Sequence, residues 1–152
     1  YEARANLMWA GSWAINGLLS VGKNKAWSLH AMEHELSAYY NLTHGIGLAI
    51  LTCPWLEYIL DEETQEKIAR FGYRVFDLPP STSIYEDAKR AIDALRDFYL
   101  SMGLPLHLKE VGIGSEKFDL MAEKIVSSRQ GALMGTRRLE KEDLMEIYRM
   151  SL

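Results

Sequence analysis

Three of the four histidines in this chain, His30, His34 and His44, fall within the stretch WSLHAMEHELSAYYNLTHGIGLAI at 27–50, at spacings that suit a metal ion. Four residues apart on a helix, the His30 and His34 imidazoles stack on one face, one turn apart. Neutral imidazole is the commonest side-chain metal ligand, and H-x3-H on a helix is a recurring way to present two of them. A histidine on a helix face is nevertheless more often a hydrogen-bonded residue at a partly polar surface than a ligand. Spacing alone therefore leaves two readings open, packed histidines or a three-histidine metal site.

Either chemistry needs two helices that meet at a corner. Trp27, His30, His34 and Ala38 form one stripe of a helix over 26–40, while Leu29, Met32, Leu36 and Tyr40 form a second stripe that can bury in a core. Asn41-Leu42-Thr43 reads as the end of that helix and the start of the next, with Thr43 as N-cap and His44 in the first turn. A helix N-terminus presents unpaired N–H groups and a positive field, which disfavours protonated His44 and so helps metal binding at neutral pH. Gly45 and Gly47 leave room beside the backbone. Glu33 and Glu35 flank the histidines, where a carboxylate can orient an imidazole; for Glu33 the preferred reading is a solvated charge or a cap.

The pattern His30-x3-His34-x9-His44-Gly45, with Glu35-Leu36 and Tyr39-Tyr40-Asn41 between, resembles the metal-site segment of the iron-containing, group III alcohol dehydrogenases, and within them the butanol dehydrogenase branch. The likeness extends through Asn6-Leu7-Met8-Trp9-Ala10, Ala14-Ile15-Asn16-Gly17 and Met32-Glu33-His34-Glu35-Leu36-Ser37-Ala38-Tyr39-Tyr40 to Lys141-Glu142-Asp143-Leu144 and Ile147-Tyr148. It is most specific over 6–50 and thin from 80 to 135.

The resemblance implies a division of labour. His30 and His44 match metal ligands, for Fe(II) or Zn(II), whereas His34 matches a histidine in the cleft where substrate and nicotinamide meet, and so becomes the catalytic, proton-handling residue. The family's other two ligands are an Asp and a His spaced Asp-x3-His on an earlier helix. No such pair occurs here, and the fourth histidine, His107, has no matching partner. The family's amino-terminal nucleotide-binding domain also has no counterpart: Gly45/Gly47 and Gly112/Gly114 follow no strand-like run and open no G-x-G-x-x-G. The expectation is one domain over 1–152, all-α and similar to the C-terminal helical domain of the dehydroquinate synthase-like fold, with the nucleotide-binding domain missing.

Composition agrees with an ordinary globular protein: 48% of residues are hydrophobic and 25% charged, enough to bury one real core. A net charge of −4 and no long basic patch argue against a nucleic-acid partner. The most apolar run, 45–56, holds Pro54 and is too short for a bilayer, which argues against a membrane partner. The single cysteine, Cys53, excludes an internal disulfide, is compatible with a cytoplasmic protein, and reads as a buried small hydrophobe. Only seven Asp, Glu, Lys and Arg fall in 1–60 against thirty-one in 61–152, so the first third is expected to be the buried and functional part.

Helical spacing recurs along the whole chain, and about seven helices are expected. The segment 2–20 should be a central helix, with Gly11 and Gly17 used for close helix approach and Trp9 and Trp13 packed in the core. A turn follows at 22–25. Pro54 should kink or interrupt the helix over 43–60 near Leu51. Further helices are expected over 61–76, over 84–102 after an N-cap in Ser81-Thr82-Ser83, over 114–128 and over 140–150, with Gly103 as a C-terminal glycine. Arg137-Arg138, in a loop over 131–139, read as solvated rather than as a cofactor-phosphate site.

Two functions follow. In the first, the chain is part of an NAD(P)-dependent (NAD- or NADP-linked) alcohol dehydrogenase that interconverts a primary alcohol and its aldehyde, inactive without its nucleotide domain and homo-oligomeric when complete. In the second it is a stand-alone helical metal-binding or protein-interaction module.

Overall fold

The computed structural model describes residues 1–22 and 27–152. Among them are seven α-helices: α1 (Glu2–Ile15), α2 (Ser28–Tyr40), α3 (His44–Ile59), α4 (Gln65–Val75), α5 (Ile84–Ser101), α6 (Phe118–Ser127) and α7 (Lys141–Met150), with short 3-10 turns at Leu18–Ser20 and Leu108–Val111. No strand is present among the described residues beyond one antiparallel bridge, Leu133 with Leu139, which closes the 131–139 loop. The all-α expectation holds. The turn expected at 22–25, and the start of α2 expected at Ala26, fall on residues 23–26 and lie outside the described residues. No described helix is long and apolar enough to cross a membrane.

α3 is the spine. On one side Ile50 and Leu51 join Met32 and Leu36 of α2, Met121 and Ile125 of α6, and Leu144, Ile147 and Tyr148 of α7 in the larger core. On the other, Cys53 meets Ile68 and Ala69 of α4 and Ala88, Ala91, Ile92 and Leu95 of α5. Apolar residues around nearly the whole circumference let one helix serve two packs. Of the two outcomes expected at Pro54, interruption does not occur: α3 runs from His44 to Ile59 with Pro54 inside it, and the packs on both sides hold the turn that the missing N–H would otherwise loosen. Cys53 is buried as expected, and burial pushes its thiol up to about 11.

The second pack depends on one close approach. A Cβ on Gly72 would stand 2.6 Å from the Ala91 Cβ and 3.3 Å from its Cα, so α4 and α5 touch at a distance only glycine permits. Ser83 caps α5 by accepting from the Glu86 N–H at 3.3 Å. One turn in, buried Asp87 accepts from the Tyr73 hydroxyl at 2.5 Å, the Ser81 N–H at 2.9 Å and Arg90 at 2.8 Å. The Tyr73 hydrogen bond and then the Ser81 N–H hold its carboxyl down to about 2 from an ordinary 3.8. A depressed carboxyl adds stability that is complete above its unfolded value and vanishes as pH falls through the folded one. Asp87→Asn should therefore lower the melting temperature at neutral pH and flatten its decline between about pH 4 and pH 2. Thermal melts across that range check this, and parallel acid profiles for the two proteins would contradict it.

The first helix departs from expectation. α1 buries none of its residues; Trp9 is 66% and Trp13 36% exposed, and their rings meet edge to face at 5.6 Å. Gly11 has nothing near its missing side chain, and Gly17 takes a left-handed φ of 88° in a turn, so neither serves helix packing among the described residues. From Leu7 onward α1 is apolar on almost every side, and a helix of that kind stays exposed unless several elements cover it. Apolarity identified a helix that needs burial, but not where that burial comes from.

Candidate metal centre

The corner between α2 and α3 is made by Asn41, which takes the left-handed conformation at φ 52°, and by Thr43, extended at the N-cap of α3. His30 and His34 therefore leave α2 on the side that His44 meets from the first turn of α3. The ring centroids lie 5.3 Å apart for His30 and His44, 5.4 Å for His34 and His44, and 6.2 Å for His30 and His34. All three sequence-predicted residues are brought together. His34 and His44 are exposed, and His30 is half-buried, its ring edge to face with that of Trp27 at 4.4 Å between centroids.

Burial, followed by the neighbouring His44 and His34, holds the His30 imidazole below its ordinary 6.5 against the opposing pull of Glu33. Near neutral pH that ring is unprotonated, the form able to donate a lone pair.

Two acidic residues change places relative to the sequence reading. Glu33, expected to be solvated or capping, is 0% exposed and meets His44 Nδ1 through Oε2, while the Ser37 hydroxyl donates to its Oε1 at 2.5 Å. Glu35 meets no imidazole among the described residues; it pairs with Lys124 Nζ of α6 at 2.9 Å. The reason is helical phase: Glu33 and Ser37, one turn apart, face α3, and Glu35 points toward α6. Gly47 completes the contact, since a Cβ there would fall 2.7 Å from both Cγ and Oε1 of Glu33. The sequence offers this carboxylate–imidazole pair as one of two readings, and the reading preferred for Glu33, a solvated or capping charge, is the one that fails. The signal available was the Glu33/Ser37 spacing set against a glycine one turn after His44.

The remaining candidates lie elsewhere. His107 caps the 3-10 turn Leu108–Val111 and lines a cavity of about 140 Å³ with Cys53, Pro54 and Met150. Arg137 lies over the Tyr58 ring at 5.8 Å and 3.9 Å from Asp61, and Arg138 pairs with Glu140 at 3.2 Å, so both engage neighbouring side chains at the surface.

The sequence model of the Fe-containing alcohol dehydrogenase family, C-terminal, matches residues 1–152. The chain belongs to that family. It is 51% identical to NADH-dependent butanol dehydrogenase A of Clostridium acetobutylicum over 151 residues, 99% of this chain and 39% of that protein. NADH-dependent butanol dehydrogenase B of the same organism is 47% identical over 153 residues, with 100% and 39% covered. Among solved structures, NADH-dependent butanol dehydrogenase A of Thermotoga maritima superposes with a TM-score of 0.88 at 32% identity, covering 99% of this chain and 39% of the other. The aldehyde reductase YqhD of Escherichia coli gives 0.89 at 28% identity, covering 100% and 40%. The chain thus spans about two fifths of the length of the curated relatives it matches. The fold is that of the helical C-terminal part of iron-containing alcohol dehydrogenases.

The residues at the α2–α3 corner fit the iron of the family's name. Imidazole nitrogens suit Fe(II) and Zn(II) alike, one ring is held neutral, and a buried carboxylate backs another, which is the usual surrounding of a metal-bound histidine.

Proposed function

We propose that this chain is the metal-holding helical part of an NAD(P)-dependent alcohol dehydrogenase that interconverts a primary alcohol and its aldehyde, with His30 and His44 as ligands of Fe(II) or Zn(II) and His34 as the catalytic proton carrier. The observation that carries this reading is the convergence of three imidazoles within 5.3–6.2 Å at one helix corner, in a chain of this family. When bound, the divalent ion would supply Lewis acidity at the substrate oxygen. His30, held neutral against Trp27, and His44, at the N-terminus of α3, would each donate a ring nitrogen. His34, exposed beside both, can take the hydroxyl proton on its free ring nitrogen and release it to water. Hydride would pass to or from a nicotinamide held outside this chain, as NADH is used by the butanol dehydrogenases it resembles. The remaining ligands would come from the earlier Asp-x3-His helix that the resemblance implies, and the exposed apolar face of α1 supports contact with the nucleotide-binding domain or with a second copy. A cytoplasmic setting fits the unpaired Cys53.

A second reading has one observation in its favour: Glu33, His34 and His44 each offer a ligand atom, all within 4.8 Å of one another, so a self-sufficient site is geometrically available. Titrating the chain with Co(II) or Zn(II) separates the two. Two protein ligands should give weak binding and no alcohol-dependent reduction of NAD(P), with turnover appearing once the nucleotide-binding half is supplied. Tight binding by the chain alone would favour the stand-alone module.

A further inference from the structure

We infer that Glu33 is a positioning residue for His44: its buried carboxylate accepts the Nδ1–H of that imidazole, fixing the tautomer that leaves Nε2 unprotonated for the metal. The inference rests on the reading of His44 as a ligand and adds a residue that acts only through it.

Four features of the structure carry it. The Glu33 side chain is fully buried, whereas His44 is exposed, so the carboxylate stands behind the ring and not beside it in the cleft. A buried carboxylate is costly unless donors surround it, and here each oxygen has its own: Ser37 on Oε1 at 2.5 Å and His44 Nδ1 on Oε2. α3 leaves space for the group at Gly47, where a Cβ would stand 2.7 Å from Glu33 Cγ and 3.2 Å from Cδ. The first turn of α3 also carries unpaired N–H groups whose field favours a negative charge nearby. Glu33 is therefore built into the α2–α3 junction rather than tolerated there.

The consequence is directional. An imidazole has two nitrogens, and the one not protonated is the one that can bind a cation; a hydrogen bond at Nδ1 assigns that role to Nε2. The same contact fixes the ring plane, so His44 arrives preorganised. An ion bound at Nε2 lies across the ring from Nδ1, away from the oxygen that accepts there, and that separates this role from one in which Glu33 binds the ion directly.

The test uses the complete enzyme, stripped of metal and carrying ¹⁵N-labelled histidine, with the His44 signals assigned by their loss in His44→Ala. Long-range ¹H–¹⁵N correlation at neutral pH should give protonated Nδ1 and bare Nε2 for His44. Glu33→Ala should release the ring to the opposite tautomer and weaken Co(II) affinity, read against a competing chelator, by about 10–100-fold. Glu33→Gln, whose amide oxygen still accepts, should recover most of that loss. An Nε2–H tautomer in the unmodified enzyme would overturn the inference without needing any variant to fold, and equal loss of Co(II) in the Gln and Ala variants would make Glu33 a ligand instead. Unchanged Co(II) affinity in both His30→Ala and His44→Ala would overturn the metal reading itself, a result distinct from either.

Discussion

His30→Ala and His44→Ala should each empty the metal site of the complete enzyme and abolish turnover, whereas His34→Ala should keep metal content near normal and lower kcat by about 10²–10⁴-fold, the range general acid–base groups contribute. The contrast follows from position. His30 packs edge to face with Trp27 at 4.4 Å and His44 is backed by Glu33, so both rings are oriented; His34 is exposed and among the described residues has no such partner. Orientation is what a ligand needs, and exchange with water is what a proton carrier needs. Elemental analysis and steady-state rates for the three variants decide it. If all three lose metal equally, His34 is a third ligand and the division of labour is wrong.

Tyr148→Ala should cost about 3–5 kcal/mol of stability, the loss expected for truncating a large buried aromatic. Tyr148 is fully buried in α7, stacked on Phe118 at 5.2 Å, and its hydroxyl donates to the Met32 carbonyl at 2.8 Å, inside the α2 turn that bears Glu33 and His34. Burial raises the phenol far above its ordinary range, so it remains a donor at every working pH. Tyr148→Phe keeps the ring and removes that one hydrogen bond, and should cost only about 0.5–1.5 kcal/mol. Denaturant melts of the two variants measure the difference. Equal losses would mean that the hydroxyl, and not the packing, ties α7 to the α2–α3 corner.

Local periodicity made α2 through α7 legible, because each buries a continuous stripe and ends on a recognisable residue: Asn41 after α2, Ser83 before α5, Gly103 after it. It failed at α1 for the same reason it succeeded elsewhere. Apolar residues signal that a surface should be covered, and nothing local distinguishes cover supplied from within the chain from cover supplied by another surface. At Pro54 the backbone rule alone allows an interruption that the two-sided packing of α3 prevents.

By itself, the sequence determined the chemistry available: three imidazoles at i, i+4 and beyond a helix break, in a pattern that resembles one dehydrogenase family, with too little charge in the first sixty residues for an ordinary surface. Those properties depend on residue type and short-range spacing, which the chain carries wherever it folds. Only the tertiary structure decided which carboxylate serves the site. Glu33 and Glu35 are two residues apart with the same side chain, and their fates separate because α3 crosses one face of α2 with a glycine at the contact while α6 presents Lys124 to another. The depth of burial and the partner on each oxygen follow from that crossing, a long-range packing arrangement that no window of neighbouring residues encodes.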